Sequence, residues 1–227
     1  DMGQTQGVTG ATLNTNSVTA GVTTFLRPED GAWDPKNPND FYFVTTNGFG
    51  SPTRLWRARF TDIKTPENGG TITAVLDGTE TGGQQMYDNM AIDNYGHIII
   101  QEDPGGNDYN ARQWQYDIAT DAMKELSKHD STRFIPGGAN FITNNEEASG
   151  AFDAQEILGA GWFLLVDQVH NSIAGQVYEG GQILAMYNPD SYNSNPEVAL
   201  EGGSVNIPDG SNTPQTANNT DFGTVAT

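Results

Sequence analysis

Residues 88–103 read DNMAIDNYGHIIIQED. MAID (90–93) is short and apolar, NYG (94–96) is turn chemistry, and HIIIQED (97–103) is a β-branched run ending in two acids. Apolar runs bounded by Asn, Asp and Gly mark strands joined by a tight turn. The stretch therefore reads as two neighbouring strands, with an acid and an amide, Asp88 and Asn89, at the entrance to the first.

Two similar phrases flank it. PEDGAWD (28–34), YDNMAID (87–93) and NEEASGAFD (145–153) each place acids or an amide ahead of a small-then-apolar pair. The pairs are Ala32–Trp33, Ala91–Ile92 and Ala151–Phe152, followed by Asp34, Asp93 and Asp153. Glu29, Asp88 and Glu147 are 59 residues apart each time. Equal spacing of similar phrases marks a repeat architecture. Further strands are expected at 41–46, 54–60, 71–76, 112–118, 122–126, 150–154, 162–170 and 181–190, each set off by turn residues. About four strands per repeat fits a propeller blade, somewhat longer than the ~40–50 residues of the commonest blades. Helix is expected only as one turn in DAQEILG (153–159) and in the segment before Lys128. Residues 1–20 read equally as a blade strand or a loop.

The fold class is all-β, with residues 1–201 forming part of a β-propeller. Three repeats cover too little chain to close a six-bladed ring, so the chain is expected to belong to a longer polypeptide or to associate with the missing part. Residues 202–227 turn polar and Asn/Thr-rich, as a linker or the first strand of a further module.

Composition limits the functions. The chain of 227 residues can bury a sizeable core. Its 29 acids against 10 basic residues give a net charge of -19, which repels phosphate backbones and excludes nucleic acid. The same surface suits solvation or recruitment of cations. Without cysteine there is no disulfide, zinc–thiolate site or cysteine nucleophile. No apolar run reaches the ~18 residues of a membrane span. The start, DMGQTQ, carries no basic or apolar leader, so either a signal peptide has been removed or the chain is a piece of a longer one.

In a propeller, the innermost strands line a central channel, and equivalent positions face one another across it. Glu29, Asp88 and Glu147 would then converge, and crowded carboxylates call for a counter-cation. Ca²⁺ suits an all-oxygen set, to which Asn89, Glu102 and Asp103 could add. Gln168 and His170 are expected at the far end of a long strand from Glu147. Glu29 is two residues before Gly31 but Glu147 is three before Gly150, so Glu146 and Glu147 can exchange roles. Turn formation remains the competing reading for each acid. Arg27 can fork an anion or pair with a local acid. His97 reads as a polar strand position, His129 as exposed loop and His170 as structural. The loops 103–110 and 188–197 carry oxygen ligands but lack EF-hand offsets. No GxSxG elbow, P-loop or HExxH is present.

FLRPEDGAWDP (25–35), DNMAIDNYGHIIIQED and EASGAFDAQEILGAGWFLLVDQVH (147–170) together resemble successive signature segments of PhoX-type alkaline phosphatases and esterase-like phytases. The similarity covers about residues 22–190. It implies a six-bladed propeller, hydrolysis of phosphate monoesters, and calcium held by acids, with iron in the phosphatases' catalytic cluster. It matches Glu29 and Glu147 to metal-binding glutamates and Asp88 or Asn89 to a DN motif. The phosphatases' iron-centre cysteine is missing, and the first part of the propeller is expected to lie outside these residues. Residues 205–227 resemble the opening of Ig-like choice-of-anchor modules, through Asp209–Gly210 and Thr220–Val225. A secreted or cell-surface bacterial parent follows from that resemblance. Two functions result. One is a secreted, calcium-dependent phosphoesterase acting on a small phosphorylated substrate, with Arg27 on the phosphate and Glu29, Asp88, Asn89 and Glu147 on metal. The other is a non-catalytic, calcium-stabilised surface scaffold.

Overall fold

The computed structural model describes residues 4–192 and two short strands, β12 (Thr216–Ala217) and β13 (Thr220–Asp221), which pair with each other. The rest of the expected C-terminal module lies outside the described residues.

Three antiparallel sheets carry the fold, none of them closed. The first runs β1 (Pro28–Trp33), β2 (Asp40–Thr45), β3 (Arg54–Phe60), β4 (Gly70–Leu76). The second repeats this order with β5 (Tyr87–Ile92), β6 (His97–Glu102), β7 (Arg112–Asp117) and β8 (Ala122–Lys128). The third has β9 (Glu146–Asp153), β10 (Trp162–Ser172) and β11 (Glu179–Tyr187). The first strands of the sheets, β1, β5 and β9, are neighbours in succession, so the sheets stack face to face.

Period-two alternation builds the core. Tyr42, Val44 and Leu55 of the first sheet meet Tyr87, Met90, Ile98, Ile100, Trp114 and Tyr116 of the second. Ala91 and Ile99, on the second sheet's other face, meet Phe163 and Leu165 of the third. The run Ile98–Ile100 is buried throughout because its sheet is covered on both faces.

The repeat is visible in the hydrogen bonds. Each first strand is closed at its start by the same bond: Thr46 N–H to Arg27 O, Asp103 N–H to Met86 O, His170 N–H to Asn145 O. Arg27 and Met86 both sit there at positive φ (58° and 44°). Each first strand then carries one bulge against its partner. At the far end the bonds are Asp34 N–H to Asp40 O, Asp93 N–H to His97 O, and Ala154 N–H to Trp162 O. The third strand is thus two residues longer. Glu29, Asp88 and Glu147 are equivalent, but Asp153 is out of phase with Asp34 and Asp93, and Phe152 takes the place of Ala32 and Ala91.

Three expectations change. PEDGAW is a bulged strand, so Glu29 and Asp30 are not turn residues. The segment before Lys128 is strand β8, as expected for 122–126, and its pairing with β7 displaces the helical alternative there. Residues 1–20 contain α1 (Gly10–Thr19), capped by the Thr9 hydroxyl accepting from Thr12 N–H. The helix buries no residue, so its sequence carries no apolar periodicity. Two short α-helices are also described, α2 (Ser131–Phe134) and α3 (Gln155–Leu158), the latter within DAQEILG.

Candidate cation site

β1, β5 and β9 all begin at one end of the stack, where β2, β6 and β10 end. Glu29, Asp88 and Glu147 occupy their second positions. Asp103 and His170 follow from the closing bonds just described.

Asp88 registers the crowding. Burial raises its carboxyl first, and the charges of Glu29, Asp103 and Glu147 raise it further, to about 6, with Arg27 opposing. Burial also lifts Glu147, and the charge of Asp103 lifts it further. The Ser149 hydroxyl lies 3.0 Å from Glu147 Oε1, and His170 Nε2 lies 3.7 Å from it. Asn89, with its amide turned to donate, reaches Asp88 Oδ2 at 3.0 Å and the Ser149 carbonyl at 3.3 Å. Arg27 pairs with Glu29 at 3.2 Å and donates from Nη1 to Asn47 O at 3.1 Å.

Several candidates take other roles. Gln168 lies opposite Glu147 in the sheet rather than at the far end, because WFLLVDQVH runs back antiparallel to β9. Its amide lies 3.1 Å from His170 Nε2, while His170 Nδ1 lies 2.8 Å from Glu179 Oε2. Glu102 turns inward and accepts from Gln85 N–H and Trp114 Nε1 at 2.8 Å, with Arg112 N–H and the Tyr109 hydroxyl near it. Burial lifts its carboxyl to about 7 against the pull of those donors. Asp30 accepts from Gly31 N–H and, across the sheets, from Met90 N–H at 3.0 Å. It pins the first sheet to the second.

Neighbouring glutamates on β9 face opposite ways. Glu147 joins the acids, while Glu146 is buried between sheets and accepts from Ala111 N–H at 2.9 Å. His129, expected in an exposed loop, is buried beside it: Nδ1 is 3.5 Å from Glu146 Oε1 and Nε2 is 3.1 Å from Asp167 Oδ1. Burial lowers its pKa, but the two carboxylates outweigh this and lift it to about 9. SKHDSTR reads as loop because both partners lie far along the chain. His129 and Asp167 also line a cavity of about 860 Å³ between β8 and β11, with Leu126, Leu184 and Met186. None of the converging acids lines it.

The donor chemistry at the acid end is hard oxygen, with one imidazole, and suits Ca²⁺ better than iron. Among the described residues, no three His, Asp or Glu side chains already stand around one point at metal-binding geometry. Glu29 is turned toward Arg27, and Glu147 toward Ser149. No family model matches the chain, and neither a curated protein nor a solved structure matches it.

Proposed function

We propose that the three sheets are consecutive blades of a β-propeller, and that the acid end of the stack is a Ca²⁺ site in an extracellular module. The supporting observation is Asp88, whose carboxyl is lifted to about 6 first by burial and then by the charges of Glu29, Asp103 and Glu147. Such a cluster stores repulsion that a divalent cation relieves. Glu29, Asp88, Asp103 and Glu147 would hold the ion, with Asn89 completing the oxygen set. The primary role is stabilisation: the ion ties the starts of three sheets together.

Phosphomonoester hydrolysis is the second reading, favoured by Arg27. Its guanidinium pairs with Glu29 beside the acids, where a fork donor can hold a phosphoryl oxygen once Glu29 turns to metal. A bound cation would supply charge neutralisation at that oxygen.

Thermal unfolding with Ca²⁺ and then with chelator tests the site. At about a hundredfold excess over Kd, ligand binding stabilises by about 2.7 kcal/mol. The midpoint should rise with Ca²⁺ and fall back with chelator, and an unchanged midpoint at millimolar Ca²⁺ contradicts the site. Chelator-sensitive cleavage of a chromogenic phosphomonoester would add the catalytic reading, and no cleavage leaves the scaffold.

A further inference from the structure

Two apolar sheet faces end the stack. On the first sheet, Trp33, Phe41, Phe43, Trp56, Phe60 and Ile72 share the face turned away from the second sheet. Trp33 and Phe41 rings lie 5.0 Å apart, and Phe43 stacks on Trp56 at 6.2 Å. Trp33 is 45% and Ile72 55% exposed. On the third sheet, Phe152, Leu164, Val166 and Ile183 share the opposite outer face. Phe152 is 56% and Ile183 77% exposed.

Both faces repeat surfaces that are buried inside the stack. Phe152 and Leu164 stand where Ala32 and Tyr42 stand in the first sheet, and Ala91 and Ile99 in the second. Those earlier pairs pack on the next sheet. Trp33 and Phe41 stand where Ile92 and Ile98 stand in the second sheet, packed on the preceding one. The stack therefore shows twice what a trailing face meets: a leading face.

We propose that a second copy of this chain supplies it. The trailing face of each copy packs on the leading face of the other, and the two contacts close a two-fold ring of six sheets. Such a contact is head-to-tail, and it closes on two copies when three sheets turn through half a circle, the turn that three of six propeller blades make. Six lies within the four to eight blades that propellers use. Like charge opposes the union, since each copy carries -19, so association strengthens as salt screens it. The inference stands on the faces and not on the cation.

Light scattering on the purified chain tests it, at about 0.15 M and about 0.5 M salt. The expected mass is twice the 24.4 kDa of one chain, with the dimer fraction rising with salt. Trp33→Asp and Ile183→Asp should each halve the mass while keeping the wild-type circular dichroism, because both side chains are exposed. An equimolar mixture of the two variants retains one intact contact and should recover part of the dimer. A monomeric wild type at its highest soluble concentration overturns the proposal and leaves the faces to other sheets. A dimer insensitive to both substitutions, or a mixture that stays monomeric, also overturns it.

Discussion

At the scale of single residues, the acids separate into those that share charge and those that hold backbone. Asp88 belongs to the first kind, and its pH dependence follows. Its folded pKa, about 6, lies above its ordinary 3.8. Its contribution to the cation-free protein is therefore fully present below the ordinary value and is lost as pH rises through about 6. Melting of the cation-free protein should show this loss between about pH 4 and pH 6. Asp88→Asn should flatten that part of the profile and melt higher than wild type at pH 7. Glu102 belongs to the second kind. Glu102→Ala strands the Gln85 and Arg112 amides and the Trp114 indole N–H, and should cost about 3 kcal/mol in denaturant unfolding. The spacing of 59 identifies Glu29, Asp88 and Glu147 as equivalent from sequence alone. It does not separate Glu146 from Glu147, because a strand sends adjacent side chains to opposite faces and only the partner sheet says which face is which.

At the scale of elements, bulges and sheet contacts decide what alternation cannot. Gly31 lies just past the bulge of β1, and a Cβ there would meet the Phe41 ring and the Tyr42 carbonyl at 2.6 and 2.8 Å. Gly31→Ala should destabilise the first sheet by about 1–3 kcal/mol in denaturant unfolding. His129 works between elements, joining the end of β8 to Glu146 of β9 and Asp167 of β10. Its folded pKa, about 9, lies above its ordinary 6.5. The stability it contributes is fully present below pH 6.5 and is lost as pH rises through about 9. Melting from pH 7 to 10 should show that loss, and His129→Gln should abolish it. The strands were legible wherever turn residues bracket an apolar or alternating run, as at FYFVTT and RLWRARF. The extra length of β9 was not: NEEASGAFD keeps the repeat's wording while its hydrogen bonds shift by two residues.

For the whole molecule, stacking explains both the core and the acid end. Sheets that pack in succession bring the starts of β1, β5 and β9 side by side, and the same packing leaves one leading and one trailing face. The all-β character follows from composition and turns. Convergence of the acids depends on the order in which the sheets stack, which the repeat implies but no single segment contains. The most direct measurement is calorimetric titration of Ca²⁺ into the chain, with Asp88→Asn, Glu147→Gln and a remote control, Glu80→Gln. Glu80 only closes a turn, accepting from Asp77 and Gly78 N–H. The expected result is one binding event, weakened about tenfold or more, at least 1.4 kcal/mol, in both cluster variants and unchanged in the control. No binding heat, or binding that ignores both cluster substitutions, would contradict the account.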